Sequence, residues 1–328
     1  MTIQLKGHPG EIPLLRATAI GLHLRQGEVV SVTILGLLVA AMLVLLAARG
    51  QAVAWSDFTL SYVACGCLLG LGLVARSRAM GGAVWLELVA QLVIAVGVYS
   101  AFGTTAAIFI YALFPMVHPS VDHILQNIDA RLGYSWPALV HGLAEWPLVG
   151  QALGKVYHSS FWQLFALIVV LVLLRRPEQV HRMIVVGMLS LILTTAVWWL
   201  FPSFGPSAFY TVPPEVASRI NLVVDNRYGT ELLRMASEGN ATISLEIMKG
   251  IIAFPSYHMI MACMVVWFSH RTPAFRLFLP INLVMILATL SHGGHYLVDL
   301  ISAVAMFALV VWISGRFMPP PGRPGQTA

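Results

Sequence analysis

Hydrophobic positions in this chain run in long blocks with short polar breaks between them. A helix that crosses a bilayer needs about 20 mostly apolar residues. The blocks predict eight such spans, at 30–48, 58–75, 84–114, 159–174, 183–201, 256–270, 277–292 and 297–315. The third is too long for one straight span, and Gly103 is a place where it would break. The first is preceded by 29 residues with no small-x-small cleavage pattern, so it reads as a retained anchor.

Two of the intervening stretches carry a pattern of their own. In 115–158, Val121, Ile124, Leu125, Ile128 and Leu132 recur at helical spacing, with Asp122, Asp129 and Arg131 on the other side. That predicts an amphipathic helix on the membrane surface. Trp136, Trp146 and Trp162 suit the interface. In 202–254, the Pro/Gly-rich turn Phe201 to Pro206 leads to a helix at about 228–238, ended by Gly239-Asn240. The proline-rich stretch 319–328 cannot build a packed element and is read as disordered.

Composition agrees with the blocks. Apolar residues make up 58% of the 328 and charged ones 10%, where an ordinary soluble domain carries about 25%. Mean hydropathy is +0.82. A disordered chain, a disulfide scaffold and most soluble enzymes are excluded. The fold class is therefore an all-α polytopic membrane protein with about eight transmembrane helices. The net charge of +5 comes from scattered single residues, which gives no reason to expect a nucleic-acid partner. Cys65, Cys67 and Cys263 lie in apolar stretches at no metal or redox spacing.

Orientation follows from the loops. With both termini in the cytoplasm, the inner segments hold 12 Lys and Arg and the outer ones 7. The excess of positive charge belongs inside. Residues 1–29 are then a cytoplasmic segment, 30–114 the N-terminal membrane helices, and 317–328 a cytoplasmic tail, with no internal repeat.

Among eleven histidines, His8, His23, His181 and His270 fall near inner helix ends, and His118, His123, His141 and His158 in the outer loop. Structural roles suffice for these. His258, in Pro255-Ser256-Tyr257-His258, and His295, in His292-Gly293-Gly294-His295-Tyr296, each open an apolar helix on the outer side. Asp299 follows His295 by four, which puts both on one helix face. A carboxylate at membrane depth is costly unless paired, and His295 is the natural partner. Held in this way, His295 can attack phosphorus as a neutral imidazole, and His258 can protonate the leaving oxygen. Pro255 suits a first helical turn, whose N–H groups around Ser256 and Tyr257 can accept a phosphate.

The two motifs resemble those of the type 2 phosphatidic acid phosphatase superfamily, with its Pro-Ser-x-His and a later Ser-Arg-x5-His-x3-Asp. Pro255 to His258 matches the first, and His295-x3-Asp299 matches the end of the second. The flavour is that of the inositol phosphorylceramide synthase-like (inositolphosphotransferase) branch, in its bacterial members. Ile128-Asp129-Ala130-Arg131-Leu132-Gly133, Tyr157 to Gln163, and Phe201-Pro202 with Gly205-Pro206 also look like that branch. The resemblance implies a six-helix catalytic core over 115–316, a lipid phosphate or phosphodiester substrate, and a phosphohistidine at His295. It implies no metal and no cofactor. The acceptor is water in a lipid phosphatase or a lipid hydroxyl in a headgroup phosphotransferase. The setting is a bacterial inner membrane with a periplasmic active site.

There are departures. The family's Ser-Arg falls on Ala288-Thr289, so its phosphate-binding arginine is absent, and Arg176-Pro177 lies on the wrong side for the first motif. Arg227, Arg234 and Lys249 are the outer cations that could replace it, with Thr289 and His292 as weaker contacts. Two other classes stay in view. A transporter would use intramembrane Glu87 and Asp299, and a metal-dependent hydrolase would use His258, His295 and Asp299.

Overall fold

The computed structural model describes residues 14–17, 22–79 and 82–318. Each of the eight apolar blocks contains one helix. These are α1 (Gln26–Arg49), α2 (Trp55–Ala79), α3 (Val84–Tyr111), α7 (Ser160–Leu173), α8 (Pro177–Leu200), α11 (Tyr257–Ser269), α12 (Phe275–His292) and α13 (Leu297–Phe317). Six are long and apolar enough to cross a membrane unaided, and α7 makes a seventh only with the preceding α6 (Pro147–His158), at a bend of 51°. The thirteen residues of α11 cover ~20 Å at 1.5 Å per residue, short of the ~30 Å hydrocarbon core. The fold is that of an all-α polytopic membrane protein.

Gly103 does not break the third block. α3 continues through it to Tyr111, because an isolated glycine costs a helix only about 1 kcal/mol and packing on both sides supplies more. The core runs through α3, α7, α8 and α11, with Leu167, Ile168, Met183 and Met264 fully buried. α1 and α2 pack on the flank of α3. At one end of these helices Arg76 of α2 pairs with Glu28 of α1, its Nη2 lying 2.8 Å from Oε1. Glu87 of α3 joins through Arg25 at 2.9 Å and Arg76 at 3.4 Å. The acid at the start of α3 therefore has a structural use. Buried charge is tolerated there because it is paired.

The stretch 115–158 departs most from expectation. It folds as three helices, α4 (Asp122–Arg131), α5 (Trp136–Ala144) and α6. On α4 the acids face inward: Asp122 and Asp129 are buried, whereas Ile124 and Leu132 are exposed. The acids are bound to backbone N–H groups of other elements, which outweighs the pull of the apolar positions. Trp136 is likewise inside, donating from Nε1 to the Ser291 carbonyl at 3.2 Å. Trp146 and Trp162 are exposed. The expected helix near 228–238 is α10 (Asn226–Glu238), after the short α9 (Pro214–Ile220), and Gly239 ends it at φ +79°. The expectations for 1–13 and 319–328 lie outside the described residues.

Candidate active site

The two motifs meet at one end of the bundle. Ser256 is the N-cap of α11, its Oγ accepting from the Met259 N–H at 3.4 Å. Pro255 therefore precedes the cap and does not sit in the first turn. The Ser256 N–H donates to the Asp299 carbonyl at 3.2 Å, so the start of α11 is tied to the first turn of α13. Between them lies His295, 2% exposed, with fully buried Asp299 and Ser256 on either side. Its Nδ1 is 3.1 Å from Asp299 Oδ2 and its Nε2 is 3.1 Å from Ser256 Oγ. The same Oδ2 accepts the Tyr296 N–H at 2.9 Å. A carboxylate on Nδ1 fixes the tautomer and leaves the Nε2 lone pair facing the Ser256 hydroxyl.

His258 lies one residue into α11 and stacks on Tyr157, with centroids 4.3 Å apart and planes at 21°. The Tyr157 hydroxyl is 3.5 Å from His258 Nδ1. His258 and His295 line one cavity of about 380 Å³ together with Lys249, Tyr157 and Tyr228. A broader basin of about 820 Å³, lined by Arg227, Asp225, Glu231 and Lys249, also reaches His258.

The cations separate. Lys249 borders both spaces and sits 5.3 Å from the centre of the Tyr228 ring. Arg227 reaches only the basin. Arg234 lies on the exposed face of α10, held by Glu231 at 2.6 Å and Glu238 at 3.5 Å, and lines neither space. The Tyr257 hydroxyl points into the bundle and donates to the Gly187 carbonyl at 3.2 Å. His292 turns away to the Ile220 carbonyl, 3.2 Å from its Nε2, and Thr289 is fully buried. Among the described residues, no three of His, Cys, Asp and Glu converge as a metal would require.

Sequence reasoning missed the residues that hold this loop in place. Asp129 accepts the Leu297 N–H at 2.7 Å and the Val298 N–H at 3.1 Å, capping α13 from a different helix. Gln126 donates to the Tyr296 hydroxyl at 3.1 Å, and the Tyr134 hydroxyl donates to the His295 carbonyl at 3.3 Å. Asp122 does the same for the Pro/Gly turn, accepting the Phe204 and Gly205 N–H groups at 3.0 Å. Gly205, at φ +77°, lies flat against the Gly294 carbonyl, where a Cβ would collide. Burial pushes the Asp122 and Asp129 carboxyls up, against the hydrogen bonds that pull them down. Burial, with Asp129 and Asp299 nearby, also raises the Tyr134 phenol far above its ordinary range, so it remains a donor. The Ile128-to-Gly133 run was the one signal for this clamp, and its spacing alone could not show where Asp129 points.

A buried His–Asp pair and a second histidine thus border one cavity in a bundle of apolar helices. Residues 123–313, more than half of the chain, match the PAP2 superfamily. The chain belongs to that superfamily, the type 2 phosphatidic acid phosphatase group that its motifs resemble. Membership supports an enzyme of phosphatase-type lipid phosphoryl transfer. No curated protein and no solved structure matches the chain.

Proposed function

We propose that the protein transfers a phosphoryl group from a membrane lipid through a phosphohistidine at His295. The observation that carries this is the geometry of His295, a residue of the cavity wall with Nδ1 on a buried carboxylate and Nε2 on the Ser256 hydroxyl. His295 Nε2 attacks phosphorus, and the bond from phosphorus to the lipid oxygen breaks. His258 gives that oxygen its proton. Asp299 holds the Nδ1 proton and supports the charge that develops on the ring. In the second half an acceptor hydroxyl attacks phosphorus, His258 takes its proton, and the phosphorus–nitrogen bond breaks. The acceptor is water or a lipid hydroxyl.

Ser256 Oγ, next to Nε2, would donate to a phosphate oxygen held there in this reading. Lys249 supplies the cation at the cavity edge and takes the part of the missing family arginine, with Arg227 in the basin behind it. Residues 115–316 form the catalytic unit in this reading, and 30–114 flank it. The chemistry needs no metal. The motif flavour supports the inositol phosphorylceramide synthase-like branch and a bacterial inner membrane. The loop charges support a periplasmic site.

The test uses purified protein in micelles with radiolabelled phosphatidate, and separately with labelled anionic phospholipid plus ceramide or diacylglycerol. Free phosphate and new lipid are followed together, with His295→Ala as the blank. Free phosphate above the blank supports a phosphatase, and a new lipid that needs the acceptor supports a phosphotransferase. Neither above the blank refutes the reading of the substrate.

A further inference from the structure

Resting on that reading of the site, we infer that α3 holds the hydrocarbon chain of the lipid and admits it sideways through a window at Gly103. The 380 Å³ cavity has His258, His295 and Lys249 at its reactive end and a mostly apolar lining below. It follows α3 from Tyr111 down to Tyr99, which is twelve residues or ~18 Å of helix. Ser100, Gly103, Ala107 and Ile110 recur at helical spacing along its wall.

One position of this wall on α3 carries no side chain. Between Ala90 and Ala112, Gly103 is the single exposed residue of the chain, and a Cβ built there meets nothing within 4 Å. Across from it on α7, Phe161 is exposed and Phe165 lies one turn deeper. Phe165 meets Tyr99 edge-on at 6.4 Å and closes the bottom. The opening therefore lies on the flank of the bundle, between Phe161 and the Tyr99–Phe165 pair. There the surrounding medium is hydrocarbon and not water.

A glycine inside a helix costs about 1 kcal/mol relative to alanine, and at Gly103 the space beside the backbone is open. A soluble substrate has no use for an apolar side entrance, since the basin with Arg227 and Glu231 already reaches His258. α3 lies outside the residues that match the PAP2 superfamily and α7 lies within them, so the site for the chain joins a flanking helix to the matched region.

The experiment uses the full-length protein in lipid nanodiscs with a long-chain phosphatidate that carries a mid-chain diazirine. After irradiation, adducts are mapped on peptides. Wild type and His295→Ala should be labelled within 99–107 and 161–165. Gly103→Trp and Ala107→Trp, each checked for monodisperse elution, should lose that labelling at least tenfold. Leu60→Trp, on the exposed face of α2, should keep it. Equal labelling in a folded Gly103→Trp or Ala107→Trp protein would overturn the window, as would adducts confined to α2. Labelling at α3 without turnover above the His295→Ala blank would refute the chemistry of the proposed function and leave the chain site standing. Turnover with no labelling at α3 or α7 would do the reverse.

Discussion

Asp299→Asn isolates the charge behind His295. The substitution keeps the shape of the side chain and an oxygen to accept the Tyr296 N–H, now 2.9 Å away. It removes the negative charge 3.1 Å from Nδ1. When His295 attacks, its ring becomes cationic. The attraction between unit charges about 4 Å apart is about 4 kcal/mol at an effective dielectric of about 20. At about 1.4 kcal/mol per decade this predicts a loss of about a thousandfold in kcat. The ground state gains little from the pair while the ring is neutral, so KM should move less than threefold. The bond to the Tyr296 N–H is kept and loses only its charge assistance, about 1 kcal/mol, so Tm should fall by only a few degrees. The assay is release of labelled phosphate, or formation of labelled lipid, at saturating substrate, alongside thermal unfolding in the same detergent. A folded Asp299→Asn enzyme within tenfold of wild-type kcat would refute the argument.

Other outcomes follow from the same geometry. His295→Ala should abolish turnover and remove any acid-labile phosphoprotein trapped in single-turnover quench. His258→Ala should cost about 10²- to 10⁴-fold on an alkyl phosphate and much less on an aryl phosphate, whose leaving group needs no proton; equal losses on both would remove His258 as the acid. Asp129→Ala strips two N–H groups of α13 of a carboxylate, worth about 2–4 kcal/mol, and should lower both Tm and kcat, with Asp129→Asn recovering part of each. Gly205→Ala drives a methyl into the Gly294 carbonyl from a left-handed backbone, so kcat should drop more than tenfold while the bundle stays assembled; wild-type kcat would show that the loop tolerates displacement. A chelator should leave turnover within twofold, and its complete loss would favour metal-dependent hydrolysis.

The membrane helices were legible because one rule governs them. Backbone polar groups have no partner in hydrocarbon, so a long apolar block must be helical whatever its neighbours do. The pairing of His295 with Asp299 was legible for a similar reason, since four residues on one helix bring the two together. Contacts between elements were not legible. Asp122 and Asp129 sit on what periodicity takes for the wet face of α4, yet both point inward. Their partners, the N–H groups of Phe204, Gly205, Leu297 and Val298, lie far along the chain. Arg227, Arg234 and Lys249 looked equivalent as outer cations. The pitch of α10 and its own acids turned Arg234 outward, and the turn before α11 left Lys249 at the cavity. Gly103 looked like a break, and the packing around α3 carried the helix through it and left the glycine exposed. The sequence by itself determined which segments are apolar helices and which residues form the candidate site, because hydropathy and helical spacing are local. The tertiary structure alone decided which acids became clamps and which cation lay at the cavity with the histidines, because each depends on the direction of a side chain relative to a distant backbone.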